Sequence, residues 1–374
     1  MAKAMDVNKR WWCVYLAAVG VVLMAAPAVT AREGENAPRR LTGDVLTADP
    51  LSTAQQQQIE RYVDFWTACL CESPDLAKIL EAKDMLVQPL NNRLLKGAAR
   101  RAIEQGVSKR LPKCMEDTKQ MSRRMNGLIV AAEIRVPETH KMLTQGLVDT
   151  SPAVRYWAAK ATAATARRRE GGRTAFNPDQ EKELLKRLRQ ALTIEKSGHI
   201  LHQMYAALGA LTIPAAQASL LQMLDRRLVQ HIQVVGPGLR ADFVGLRSVV
   251  TRINVRLAND QPVGPQLKRL AAISGKYLDV ISGALKKEQV PDSTQPICLA
   301  VIELVEKVFT DMAKLKGPPL LAPARAGRFA QLRLGTLDWV GTDDAPGILT
   351  KGKLAIPREQ LRLPARAEPG PDPG

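Results

Sequence analysis

Apolar residues recur at spacings of three and four from Leu51 to Lys316, and this rhythm predicts helix after helix. In 51–71, Ile59, Tyr62, Val63, Trp66 and Leu70 share one face, and Ser52 or Thr53 stands where an N-cap belongs. Helical spacing continues through 74–95 and 97–110 until Pro112 breaks it. From Asp117, Met121, Met125, Leu128, Ile129 and Ala132 form another stripe, and Pro137 opens the next helix. Asn177-Pro178-Asp179-Gln180 combines an N-cap, a proline at the first helical position and an acid in the first turn. Leu184, Leu185, Leu188, Ala191 and Leu192 follow as its buried stripe. Further helical segments are predicted over 199–211, 215–228, 239–257, 265–286 and 296–316. After Gly317 the prolines at 318, 319, 323, 346, 357 and 364 oppose long helices. There the run Phe329-Ala330-Gln331-Leu332-Arg333-Leu334 reads as a short strand able to pair with one in 348–356, and 365–374 reads as disordered.

The pattern is sharpest between Leu147 and Ala161. One apolar helix ends at Leu147, Asp149 sits in a tight turn, Ser151 offers a capping oxygen and Pro152 takes the first helical position. The second helix puts Val154, Trp157, Ala158, Ala161 and Thr165 on one face, with alanines that admit a neighbouring helix closely. Such a hairpin cannot bury itself alone, so the chain must supply neighbours for it.

These residues (Leu147, Asp149, Pro152, Val154, Arg155, Ala158 and Ala161) resemble a HEAT repeat, including the HEAT-like form named after phycobilisome lyases. A looser copy lies in 199–228, where Ala207-Leu208-Gly209-Ala210-Leu211 closes one helix and Pro214 opens the next. The resemblance implies an all-α fold, an α-solenoid or armadillo-like superhelix of stacked antiparallel helix pairs. It also implies that Asp149 and Arg155 are structural, forming a ladder between adjacent repeats. Pair-to-pair spacings of roughly 35 to 50 residues suit such units. The expected organisation is an export signal at 1–31, a flexible lead-in at 32–50, an N-terminal helical region at 51–116, the HEAT-like solenoid at 117–316, and a proline-rich C-terminal cap and tail at 317–374.

Composition agrees with helices packed on helices: 45% of the residues are hydrophobic but only 4% are aromatic. The formal net charge of +17 points to an anionic partner or surface. Its densest cluster is Arg167, Arg168 and Arg169, with Arg173 close by and only Glu170 to offset them, and these four are the candidate partner-binding residues. The alternative is a solvated connector that complements the C-terminus of the preceding helix.

At the N-terminus, Lys3, Lys9 and Arg10 precede an apolar run from Trp11 to Ala26, and Val29-Thr30-Ala31 supplies small residues for cleavage before Arg32. The chain is therefore expected to be exported, periplasmic or extracellular, or to keep an uncleaved N-terminal anchor. No later segment is long and apolar enough to span a membrane. Beyond the signal there are four cysteines. In an oxidising compartment one of Cys69 and Cys71 could meet Cys114, and Cys71 with Cys114 is the candidate disulfide.

No metal ligand set and no cofactor is assigned. The C-x-C at Cys69 lacks a second paired motif, and His199 with His202 lacks a third ligand. Residues 347–353 have phosphate-loop spacing, but Leu354 replaces the hydroxyl residue such loops need. The run Gly236-Pro237-Gly238-Leu239-Arg240-Ala241, with Asp260 about twenty residues on, matches a dinucleotide fingerprint. Its flanks read as helices, and a linker between them is the simpler reading. Two functions follow. The first is a non-catalytic binding scaffold for a protein or an anionic polymer, with nucleic acid disfavoured by export and by scarce aromatics. The alternative is an enzyme whose site is spread over the helices, including a dinucleotide-dependent one at 236–241.

Overall fold

The computed structural model describes residues 40–363 except 171, 172, 234 and 237, and does not describe the side chains of 169, 170, 173, 174 and 233. The expected export signal, residues 32–39 of the expected lead-in and the C-terminal tail from 364 fall outside the described residues, while the rest of the lead-in includes a short helix with Val45 and Leu46 buried. The described part is all-α. Helix α1 is Gly43–Thr47, α2 Thr53–Glu72, α3 Leu76–Val87, α4 Gly97–Arg110, α5 Met121–Ile134 and α6 His140–Gly146. Then follow α7 Pro152–Arg167, α8 Pro178–Ile194, α9 Gly198–Ala210, α10 Pro214–Gln233, α11 Leu239–Ala258, α12 Gly264–Lys286 and α13 Gln295–Lys307. The chain closes with α14 Leu321–Arg325, α15 Phe329–Val340, α16 Ile348–Lys351 and α17 Arg358–Leu361. Among the described residues the only strands are Arg169–Glu170 and Arg173–Thr174, paired antiparallel between α7 and α8. No helix among them is long and apolar enough to cross a membrane.

Alternate helices pack on one another. The series α3, α5, α7, α9, α11, α13 forms one layer, each member against the one before. The series α6, α8, α10, α12 forms a second layer, and hairpins such as α6–α7, α9–α10 and α12–α13 join the two. The alanines of α7 permit this closeness. Ala158, Ala159, Ala161, Thr162 and Thr165 are buried between α5 and α9, so the helix is covered on two sides and the apolar stripe is wide. Trp157 sits at its margin, half-buried, with the Lys160 ammonium 4.2 Å from its ring centroid.

Local signals explain most boundaries. Ser52 and Gln55 form a capping box at α2, and Asn177 and Gln180 form another at α8. The stripes of α2 and α8 are buried as their spacing requires. Cys71 and Cys114 are joined by a disulfide that ties the last turn of α2 to the 3-10 turn Leu111–Met115.

Three expectations need correction. Ser151 occupies the N-cap of α7, but its side chain does not cap the helix; instead the Asp149 carboxylate accepts from the Ser151 N–H at 2.8 Å. Helix α5 begins at Met121 and is turned from its expected orientation. Met121 is exposed, whereas Arg124, Asn126, Gly127, Leu128, Val130 and Ala131 are buried, because α5 is sandwiched between α3 and α7. Phe329–Leu334 is not a strand. Pro323 and Pro346 bound a proline-free window long enough for three helical turns, in which Leu332, Thr336 and Trp339 line one buried face at helical spacing. Residues 348–351 form the one-turn helix α16. Helix α15 packs on α12, and α17 reaches the same helix, so the C-terminal elements cover α12 and leave it buried along most of its length.

Candidate anion-binding groove

Ion pairs at the N-terminal ends of α5 and α7 follow one rule. Arg155, the fourth residue of α7, donates from Nε to Glu195 Oε2 at 2.8 Å and from Nη1 to the carbonyls of Asp149 and Thr150 at 2.9 and 3.0 Å. Arg124, the fourth residue of α5, donates from Nη2 to Asp149 Oδ1 at 3.3 Å, with its Nε 2.9 Å from Oδ2, and its Nη1 donates to the carbonyls of Asp117 and Thr118. Asp149 lies two residues before the N-cap of α7, and Glu195 two residues before that of α9. Each arginine thus holds its own entry turn and the entry acid of the next helix in the layer. Asp149 and Arg155 belong to this series without pairing through their side chains, and Arg124 and Glu195 are the members that the sequence reading missed. The available signal was Asp117-Thr118 before Arg124, which repeats Asp149-Thr150 before Arg155.

The opposite, C-terminal edge of the same layer is basic. Arg168 donates from Nη1 to Ile134 O at 2.9 Å, closing the end of α5, and to the buried Glu104 at 3.1 Å. Arg252 of α11 does the same for α9, donating to the carbonyls of Gly209, at 3.1 Å, and Leu211. Guanidinium groups on unsatisfied C-terminal carbonyls are favoured by both hydrogen bonding and the helix dipole. The four-arginine cluster therefore divides. Arg168 is held inside the fold, Arg167 in the last turn of α7 is exposed, and Arg169 and Arg173 contribute backbone to the two-residue strand pair, their side chains lying outside the described residues.

Arg167 faces a groove of about 950 Å³. Its floor is Ala206, Gly209 and Ala210 of α9, and one wall is Thr212, Pro214 and Gln217 at the start of α10. The other wall is Arg247, Ser248, Thr251, Arg252, Val255 and Arg256 of α11, with Gln261 and Gln266 beyond. Among the described residues, four arginines and no carboxylate line it. Arg256 is positioned by Gln266 Oε1 at 2.9 Å and Pro262 O at 2.6 Å, neither of which neutralises its charge. Arg247 is exposed beside the Phe243 ring. The nearby carboxylate of Glu181 is buried and occupied, accepting from the N–H and O–H of Thr212 and the N–H of Ile213 at the entry to α10.

Three further features lie in or beside the groove. Gln217 is only 5% exposed, and its Nε2 has no hydrogen-bond partner, so a donor on the groove wall is left without an acceptor. An unpaired buried donor costs about 1–3 kcal/mol and is uncommon in a settled fold. Nearby, partial burial and the positive field of Arg240, His199, Arg247 and Arg167 hold the His202 imidazole below its ordinary range. Gly209 is required at the floor, because a Cβ there would come within 2.5 Å of the Ser248 side chain and push α11 away.

The glycine run at 236–241 has a different role. It links α10 to α11, without the preceding strand that a dinucleotide fingerprint requires. Gly238 lets the chain pass close to a buried network, since a Cβ there would lie 2.8 Å from Arg227 Nη2. In that network Asp242 accepts from Arg227 Nε at 2.9 Å and contacts His231 Nε2 at 2.6 Å. His199 and His202 gain no third ligand, and no group of three metal-binding side chains occurs among the described residues. Cys298 is buried, which pushes its thiol up to about 12.

Comparisons with family models, with curated proteins and with solved structures find no match to this chain.

Proposed function

We propose that this chain is an exported, HEAT-like α-solenoid scaffold that binds an anionic partner in the groove between α7, α9, α10 and α11. The observation that carries the reading is the lining of that groove among the described residues: Arg167, Arg247, Arg252 and Arg256, no carboxylate, and an unpartnered Gln217 amide. A basic, acid-free concavity concentrates anions, and guanidinium groups bind carboxylate or phosphate in a bidentate fork. Among the described residues the groove wall carries no imidazole, thiol or carboxylate to act as base or nucleophile, which favours binding over catalysis. The layered packing of alternate helices and the Arg124–Asp149 and Arg155–Glu195 pairs support the repeat reading, and the Cys71–Cys114 disulfide suits an oxidising compartment.

The test is fluorescence anisotropy of labelled polyglutamate with the purified protein between 50 and 500 mM salt. Binding that weakens steeply as the screening length shrinks from about 14 to about 4 Å supports the groove. Binding that is absent at low salt, or indifferent to salt, refutes it. Export is tested separately by the N-terminus of the mature protein, expected near Arg32.

A further inference from the structure

The groove does not end at Arg167. That side chain also lines a second cavity of about 450 Å³ formed with Arg135 at the end of α5, Ala164 of α7, and Arg100 and Arg168. Two glutamates, Glu104 and Glu133, stand against the four arginines there, and Glu104 is already taken by Arg168 and Arg100. Arg167 lines both cavities, which lie along the C-terminal ends of α5, α7, α9 and α11. Arg135 is exposed and occupies the left-handed C-cap of α5 at φ 55°, a position where glycine is ordinarily preferred. Its Nε donates to the Ala132 carbonyl at 3.2 Å, which holds the guanidinium at the end of α5.

Resting on the groove reading above, we infer that the partner is an acidic polypeptide segment bound in extended form along these two cavities, from Arg135 through Arg167 to Arg256. The length follows from helix packing. Neighbouring helices in a layer lie about 8–10 Å apart, so the three intervals from α5 to α11 span roughly 24–30 Å. An extended chain rises about 3.3 Å per residue and covers that distance in about eight or nine residues. The chemistry of the lining selects a peptide over other polyanions. Val255, 57% exposed, offers an apolar contact to side chains, which a polyphosphate lacks. The Gln217 amide Nε2 matches a peptide carbonyl, and the hydroxyl oxygens of Ser248 and Thr251, whose protons go to the Val244 and Arg247 carbonyls, can accept from peptide N–H groups, which polyphosphate lacks. Among the described residues no aromatic ring lines either cavity, so bases of a single-stranded nucleic acid have nothing there to stack on.

The experiment uses labelled peptides of alternating glutamate and threonine, six and ten residues long, with inorganic polyphosphate and a single-stranded oligonucleotide of matched charge as competitors. Six residues reach from Arg256 to Arg167, and ten also reach Arg135. The ten-residue peptide is expected to bind at least tenfold more tightly than the six-residue one. Arg135→Gly, which suits the left-handed backbone and leaves the fold intact by its melting curve, is expected to lower affinity for the longer peptide threefold or more and to leave the shorter one unchanged. Equal affinity for the two lengths, no effect of Arg135→Gly, or tighter binding of polyphosphate or oligonucleotide than of the longer peptide overturns the inference. If these anions bind and Arg247→Gln weakens them, the groove reading survives that loss. If no anion binds at 50 mM salt, both fall.

Discussion

Arg167 and Arg168 are adjacent and chemically identical, yet the fold uses them differently. Arg168→Gln removes both the closure of α5 and a partner of the buried Glu104, and is expected to cost about 1–3 kcal/mol in chemical denaturation. Arg167 is exposed, and Arg167→Gln should change stability by no more than about 0.5 kcal/mol while weakening anion binding. A reversed order of stabilities would contradict the assignment. His202 offers a second test. Its imidazole is held below the ordinary value of about 6.5, by burial first and then by Arg240, His199, Arg247 and Arg167. The unfolded chain therefore binds the proton more readily. The associated stability is complete above pH ~6.5 and is lost as the pH falls through the lower folded value. His202→Gln should reduce the drop in Tm between pH 7.5 and 5.5; an identical drop in wild type and variant would remove His202 from that field. At this scale the sequence exposed the arginine cluster but not its division. Whether a guanidinium is buried depends on a carboxylate 64 residues away at Glu104, and local spacing carries no trace of that contact.

Helices, by contrast, were largely legible, because caps and stripes are local. Asn177 to Gln180 and Ser52 to Gln55 announce their helices directly, and Asp149 with Arg155 marks an inter-helix contact from one repeat alone. The reading failed where two periods competed. Six residues from Phe329 alternate well enough to suggest a strand, but the buried set Leu332, Thr336 and Trp339 becomes visible only over eleven residues, and packing on α12 decides it. The paired arginines invite a double-mutant cycle. Arg155→Ala leaves Glu195, itself 8% exposed, without its cation and should cost about 3–5 kcal/mol, whereas Arg155→Leu combined with Glu195→Leu should cost markedly less. A double variant that costs the sum of Arg155→Leu alone and Glu195→Leu alone would show that the pair is not coupled. In the seam between α6 and α7, Ala158 is fully buried and its Cβ lies 2.8 Å from where a Cβ on Gly146 would be. Ala158→Arg is expected to abolish cooperative melting, and an unchanged melting curve would place this face in solvent.

Across the described molecule, the two helix layers separate two tasks. The N-terminal edge of the α5–α7–α9 layer carries the arginine–acid pairs that link one helix entry to the next. The C-terminal edge gathers arginines that close helix ends and leaves Arg167, Arg247 and Arg135 exposed. Much of the formal +17 is dispersed, so net charge alone could not locate a surface. The groove is assembled from helices that span residues 152 to 286, and only folding brings Gln217 beside Arg247 and Arg256. The most direct measurement of the central claim is the affinity of polyglutamate for wild type and for Arg167→Gln combined with Arg247→Gln, at one low salt concentration and with melting curves recorded alongside. The groove reading predicts an affinity at least tenfold lower for the double variant with an unchanged Tm; equal affinity for the two proteins would contradict it.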